Sequence, residues 1–480
     1  MAKAIKSKSA VPDNKIKLRS ISFAQPPFRK LGSLEIKIAP RLTLIAGRNG
    51  VGKSTILALI AGGSGLTRGL KNHTYFANLP NANVDEILKL SFERDYVRGE
   101  EEKPSALLTY EKEGTQFYKK CNVSGSEERL RVVPRNEPKG PLSVHGTSIP
   151  ADGKVPIPTV YLGMTRVLPI GEADPASFER RQAEMDQEDY DFYLDFTNQV
   201  IGTGIPSGNA NVVAQSVKGT KKRAIYPEYQ GYDSTNVSLG QDSLSSIATA
   251  LASFKRLQRT LGDAYEGGLL IIDEIDAGFH PHAQIQLLDQ LKSRARQLHI
   301  QVIATTHSLT MLEHAHSEIN NKKYKGSPQD HIAYLKGGLP IQLLDAKEFA
   351  AIHSDMHLRL PTATKQTQPV VKIYVEDEEA ALFLNAILTP ARKKSINRTA
   401  NAKLKIIAAK VGCSNLVGLL GADDYFQSVV MVLDADTSGV SAKGATNVVR
   451  LPKDPHNPPK QSPEVILKVM CEKLCADVNA

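Results

Sequence analysis

The stretch that decides the reading is "GRNGVGKST", Gly47 to Thr55, set between the apolar runs "LTLIA" and "ILALIAGG". It matches the spacing G-x-x-x-x-G-K-[ST] between a predicted strand and a predicted helix. Glycines in such a loop let backbone N–H groups turn inward around a phosphate, and the dipole of the following helix adds to the field. Lys53 is placed to reach the β- and γ-phosphates, and the Ser54 hydroxyl to ligate Mg²⁺. Gly47, Asn49, Gly50, Gly52, Lys53, Ser54 and Thr55 are the expected nucleotide contacts, with ATP and Mg²⁺ as cofactors.

Working outward, three further features follow in order along the chain. "VSLGQDS", Val237 to Ser243, stands directly before an amphipathic run. Its Ser238 hydroxyl and the amides of Gly240 and Gln241 make a second anion-binding helix start. "LLIIDE" ends on Asp273, suited to hold Mg²⁺, and on Glu274, suited to polarise the attacking water. "IATTHS" puts His307 at a strand end, within reach of a γ-phosphate. A lone acidic strand end is ordinarily just a strand entering a loop, and a lone histidine is ordinarily structural. Four elements in one order leave little room for that account. Lys53, Glu274 and His307 are therefore the candidate catalytic residues.

Taken together, these motifs resemble the ABC-type ATPase head of the SMC and recombination-ATPase superfamily, with "VSLGQ" standing for the LSGGQ signature. The resemblance implies a dimer in which ATP at Lys53 of one copy is capped by Ser238 and Gly240 of the other. The run "DEIDAGFHPHAQ" narrows it to ATPases similar to the overcoming-lysogenization-defect (OLD) family and its relatives in bacterial anti-phage systems. In those, Asp276 lies in the segment that signals between the two nucleotide sites. "YLGMTR", Tyr161 to Arg166, is the candidate lobe-bridging segment.

OLD-like proteins follow the ATPase with a TOPRIM (topoisomerase–primase) domain, whose motifs are a strand ending on Glu and a later strand ending on D-x-D. "KIYVEDEEAALFL" offers Glu376, and "VVMVLDADTSG" offers Asp434 and Asp436. Hard carboxylate oxygens at converging strand ends suit one or two Mg²⁺ for phosphodiester cleavage. Between Pro390 and Gly412 the chain carries Arg392, Lys393, Lys394, Arg398, Lys403, Lys405 and Lys410 with no acid. That stretch is suited to backbone phosphates of DNA or tRNA. The family pattern departs here: Asp377 replaces a glycine, and Ala380 replaces an acid. Glu464 is a further possible ligand and equally an ordinary first-turn glutamate.

The expected architecture is α/β: an ABC-type P-loop ATPase head with a helical insertion, followed by a small α/β TOPRIM-like domain. The boundaries are a flexible basic N-terminus at 1–14, the ATPase at 15–359 with its insertion at about 170–230, a linker at 360–369, and the second domain at 370–480. Residues 174–200 read as helix, and the Gly/Pro-dense 139–158 as loop. A chain of 480 residues with net charge +9 agrees with several domains and with nucleic-acid contact, without demanding the latter. The cluster "KGTKKR", Lys218 to Arg223, reads as solvated surface.

Four cysteines without a metal-binding spacing suit a reducing cytosol. The start lacks a secretory apolar core, and no run is long enough to span a membrane. The expected partners are a homodimer or larger even-numbered oligomer and a nucleic acid. The alternative is a sensor or scaffold ATPase, similar to those of the Septu and PARIS defence systems, whose degenerate TOPRIM-like domain docks a separate effector. An SMC-style role in chromosome maintenance is disfavoured by the lack of sustained heptads.

Overall fold

The apolar run before the P-loop is one strand of a sheet buried on both faces. In this computed structural model the described residues are 15–69, 73–96, 103–126, 129–168, 177–202, 211–220, 222–229, 233–319, 328–338, 340–358, 370–400, 402–435, 444–452 and 463–478. The chain divides into two units, Met1–Pro361 and Thr362–Ala480. The expected 1–14 tail and 360–369 linker lie outside the described residues.

The first unit opens with strands β1 (Lys17–Phe23), β2 (Leu34–Lys37) and β3 (Leu42–Gly47), then helices α1 (Lys53–Gly63) and α2 (Val84–Ile87). Strands β4 (Ser105–Lys112), β5 (Thr115–Ser126) and β6 (Arg129–Glu137) complete a five-stranded antiparallel sheet of order β2-β1-β4-β5-β6. The stretch expected as plain loop at 139–158 instead forms a hairpin, β7 (Leu142–Val144) with β8 (Thr147–Ile149). Its Val144 and Ile149, with Val155 and Ile157 beyond, are buried in the core. The glycines and prolines there make the turns, while the apolar residues between them supply the packing.

Strand β9 (Thr159–Leu162) leads into the insertion. There the expected helix over 174–200 is corrected: Phe178–Glu184 is strand β10, and helix α3 runs only Gln187–Ile201. β10 pairs along its length with β11 (Asn211–Val217), which pairs with β12 (Arg223–Pro227). The charged face of "FERRQAE" is largely exposed, and cross-strand pairing with a partner distant in sequence overrides its helical composition. The insertion is thus a three-stranded antiparallel sheet with a helix, not a helical arm.

Helix α4 (Leu239–Leu261), strand β13 (Gly268–Ile272), helix α5 (Pro281–Gln297), strand β14 (Ile300–Thr306) and helix α6 (Leu309–Ile319) continue the unit. It ends with β15 (Asp330–Lys336), β16 (Gln342–Asp345) and α7 (Phe349–Met356). The central sheet has order β16-β15-β3-β14-β13-β9, parallel throughout except for β16. Leu44 and Ala46 face one core with α3 to α6, while Ile45, Ile271 and Ile303 face the other with α1 and the antiparallel sheet. Burial on both faces is why these strands read as unbroken apolar runs.

The second unit comprises β17 (Val370–Val375), α8 (Glu378–Ile387), α9 (Pro390–Ala400), β18 (Lys403–Ala408), α10 (Cys413–Gly418), β19 (Val430–Leu433), β20 (Val448–Arg450) and α11 (Pro463–Val478). Its four strands are parallel in the order β18-β17-β19-β20. The strand order reverses between β17 and β19, and ligands of open α/β sheets sit at the carboxyl ends of strands at such a point. No described helix is long and apolar enough to cross a membrane.

Candidate functional site

The P-loop glycines adopt torsions that residues with a side chain rarely take: φ is 145° at Gly47, 77° at Gly50 and 97° at Gly52. At Gly47 a Cβ would also stand 2.4 Å from the Leu335 carbonyl oxygen on β15, so neighbouring backbone excludes a side chain. Arg48, Asn49 and Gly50 are exposed, whereas Lys53 and Thr55 are buried in the first turn of α1. The Lys53 ammonium donates to the carbonyls of Gly47 at 2.9 Å and Arg48 at 3.1 Å. Burial lowers its pKa, opposed by the carboxylates of Glu274, Asp273 and Asp276. The Arg48 guanidinium reaches Asp355 in α7 at 2.7 Å, and Asp355 also accepts from the Tyr334 hydroxyl at 2.7 Å.

One strand intervenes between β3 and β13, and the Ser54 hydroxyl still donates to Asp273 Oδ2 at 3.0 Å. Asp273 Oδ1 accepts from Thr305 Oγ1 at 2.5 Å, and Thr305 Oγ1 accepts from the Glu274 N–H at 2.7 Å. A hydroxyl and a buried carboxylate, side by side beneath a backbone cradle, are the hard oxygen donors that fit Mg²⁺ on a nucleotide. Glu274 itself has φ 47°, a left-handed torsion uncommon outside glycine.

His307 follows β14. Its N–H donates to Asp276 Oδ1 at 3.1 Å, and the same oxygen accepts from Thr306 Oγ1 at 2.6 Å. The ring Nε2 is buried without a hydrogen-bond partner. Gln284 donates to the Phe279 carbonyl at 2.9 Å and accepts from the Ser308 hydroxyl, tying the "HPHAQ" run to the histidine turn. Pro281 occupies the first turn of α5, where its missing N–H costs nothing.

Ser238 caps α4 through a reciprocal box with Gln241: the Gln241 N–H donates to Ser238 Oγ at 3.3 Å, and the Ser238 N–H to Gln241 Oε1 at 3.0 Å. These bonds stay within the capping turn. Ser238 is exposed and Gly240 is buried against the turn after Asp276, where a Cβ would lie 2.7 Å from the Gly278 carbonyl oxygen. The structure therefore joins Gly240 to the Asp276–Gly278 turn, and groups Lys53, Ser54, Asp273 and Glu274 separately around the P-loop.

Sequence reasoning missed how Arg166 acts. It is 3% exposed, and its guanidinium donates to the carbonyls of Asp273 and Glu274, to the Gly163 carbonyl at 3.2 Å and to Ser243 Oγ at 3.2 Å. Burial pulls its pKa down to about 10, against the pull of Asp273. Lys222, expected as solvated surface, is 1% exposed and bonded to Asp242. No local signal marks the bonds to Asp273, Glu274, Ser243 and Asp242, because those partners are distant in sequence.

In the second unit Glu376 follows β17 and Asp434 follows β19, on adjacent parallel strands. Asp434 is buried. Asp436 and the Glu464 side chain lie outside the described residues. Cys413, which the sequence did not single out, lies beside Glu376 and Asp434: Sγ donates to Glu376 Oε2 at 2.6 Å. Burial and the two carboxylates push that thiol up to about 12, so it stays protonated. Asp377 caps α8 by accepting from the Ala380 N–H at 2.8 Å, and Ala380 is fully buried. Two carboxylates fit Mg²⁺, which keeps several of its waters. Most of the basic stretch is exposed on α9 and β18, although Lys410 pairs with Glu378 at 2.9 Å. Asp289, His314 and Glu318 also converge, but the Lys292 ammonium already lies on Glu318.

Among solved structures, the SMC head domain from Thermotoga maritima aligns at 14% identity and TM-score 0.36, covering 68% of this chain and 98% of that one. An SMC head from Pyrococcus furiosus, with an extended coiled coil and bound to the C-terminal domain of ScpA, aligns at 10% identity and TM-score 0.39, covering 71% and 100%. No curated protein matches. The family model described as "AAA domain, putative AbiEii toxin, Type IV TA system" matches residues 42–313, more than half of the chain, and the chain belongs to that family.

Proposed function

We propose that the chain is an ATP-binding and ATP-hydrolysing switch that pairs with a second copy on binding Mg·ATP. The switch controls a Mg²⁺-dependent TOPRIM-like nuclease in the second unit, in anti-phage defence of the OLD type, in the cytoplasm. The observation that carries the ATPase reading is the Ser54–Asp273 contact at 3.0 Å, with Lys53 and Glu274 beside it. Bound Mg²⁺ would neutralise charge on the β- and γ-phosphates. Lys53 binds those phosphates with donors that rest on the loop carbonyls in this structure. Glu274 takes the proton of the attacking water, and His307 Nε2 has hydrogen-bonding capacity to offer the γ-phosphate. Exposed Ser238, with Gly240 behind it, would cap the nucleotide of the other copy.

In the second unit, Glu376 and Asp434, with Asp436, would hold the cation for phosphodiester cleavage, and the basic α9 and β18 would hold the backbone of DNA or tRNA. A specific observation supports a second reading. Ala380 is buried where the TOPRIM pattern has an acid, and the Cys413 thiol already occupies Glu376. On that reading the second unit is degenerate and docks a separate toxin or nuclease.

The test is incubation of the purified protein with Mg²⁺, with and without ATP, on plasmid, linear DNA and tRNA. The nuclease reading expects ATP-dependent cleavage that Asp434→Ala abolishes while ATP turnover persists. Cleavage unchanged in Asp434→Ala sinks it. No cleavage, with oligomerisation that needs Lys53 and tolerates Asp434→Ala, selects the scaffold.

A further inference from the structure

The insertion has no part in the steps above, yet it sends one cation into the centre of the first unit. Lys222, immediately before β12, donates to the Asp242 carboxylate, to the Leu168 carbonyl, and to the Arg166 carbonyl at 3.0 Å. Asp242 lies in the first turn of α4, four residues beyond Ser238, and its other oxygen accepts from the Tyr226 hydroxyl on β12. From Arg166 the connection continues. Its guanidinium holds Ser243 on α4 and the carbonyls of both Asp273 and Glu274. A continuous buried polar chain therefore runs from the insertion sheet, through the start of the signature helix, to the strand end that carries the candidate base.

Packing alone does not account for this arrangement. Replacing a buried ion pair with well-packed apolar side chains is commonly neutral or stabilising, so a core that needed only stability would not require one. What the chain supplies is geometry. Glu274 holds a left-handed torsion, and its backbone is gripped on both sides: N–H by Thr305 and C=O by Arg166. Arg166 spans two successive carbonyls with one planar fork, which a lysine cannot reproduce.

We propose that Arg166 and Lys222 are positioning residues of the ATP site, forming a relay that fixes Glu274 relative to the signature helix and makes turnover answerable to the insertion sheet. The inference rests on the ATPase reading above and names how that site is regulated. The hydrogen bonds of both residues go to groups other than the P-loop, so the relay governs the chemical step and not nucleotide capture.

The experiment compares wild type with Arg166→Lys and with the apolar triple variant Lys222→Met/Asp242→Leu/Tyr226→Phe, which removes all three polar groups together. ATP turnover is measured as kcat and KM, nucleotide affinity with a fluorescent ATP analogue, and folded fraction by thermal melting. Both variants are expected to bind nucleotide within about threefold of wild type. Their kcat per folded molecule is expected to fall about 10- to 100-fold, as for a displaced catalytic group. A purely structural role would lower the melting temperature and leave kcat per folded molecule unchanged; that result in both variants overturns the relay alone. A folded wild type that binds ATP without turning it over overturns the ATPase reading and the relay with it.

Discussion

Glu274 is where the candidate chemistry and the backbone meet. Its φ of 47° costs about 1–3 kcal/mol in a residue with a side chain, and such torsions persist where surrounding bonds over-determine them. The N–H to Thr305 and the carbonyl to Arg166 do so. Glu274→Gln keeps the side-chain shape and both backbone bonds while removing the proton acceptor. It is expected to bind ATP as wild type does, to lose turnover by about 10²–10⁴-fold, and to accumulate as an ATP-bound dimer. Phosphate release and size-exclusion chromatography with ATP check this; normal turnover would refute the assignment of the base. The residues legible in the sequence, Lys53, Ser54 and Asp273, owe their visibility to local grammar: a glycine loop with positive φ, a helix start, an acid closing an apolar strand. Arg166 and Cys413 were not legible in the same way. Their partners stand 107 and 37 positions away, and nothing beside either residue announces them.

At the scale of elements, the decisive contact is between the start of α4 and the turn after β13. A Cβ on Gly240 would approach the Gly278 carbonyl to 2.7 Å, and one on Gly278, at φ 86°, would approach Leu239 Cγ to 3.1 Å. The first obstacle is backbone and cannot rotate away. Gly240→Ala is therefore expected to push the capped helix start off the Asp276–Gly278 turn, at a cost of about 1–3 kcal/mol. The P-loop lies outside that contact, so nucleotide capture at Lys53 by a single copy should hold while ATP turnover, which needs the paired copies, drops. Thermal melting, analogue binding and phosphate release measure the three effects, and unaltered turnover would show that the contact does not matter. The parallel strands were readable because both faces of the central sheet are apolar. Strand β10 was not: its seven residues are mostly exposed, and the pairing that makes them a strand comes from Asn211–Val217. The buried Lys222 within "KGTKKR" escaped for a related reason, since a lysine's burial depends on an acid placed by tertiary structure.

For the whole molecule, basic charge is locally concentrated between Pro390 and Gly412, where seven Lys and Arg stand with no acid. Helix α9 has no buried residue, and Lys403 and Lys405 stand exposed on β18, the edge strand of the second sheet. Charge on such a surface contributes little to folding, so its reversal separates binding from stability. Each phosphate neutralised by a lysine or arginine releases condensed counterions, and the logarithm of affinity then falls linearly with the logarithm of salt. Reversing Lys394, Arg398 and Lys405 to glutamate together is expected to leave ATP turnover and melting temperature unchanged. If all three sit on phosphates, the salt slope of nucleic-acid binding should shrink by about 2–3. Fluorescence anisotropy with labelled single- and double-stranded DNA and tRNA, titrated across salt concentrations, reads the slope directly. An unchanged slope would remove α9 and β18 from the nucleic-acid path and leave the scaffold reading as the stronger account of the second unit.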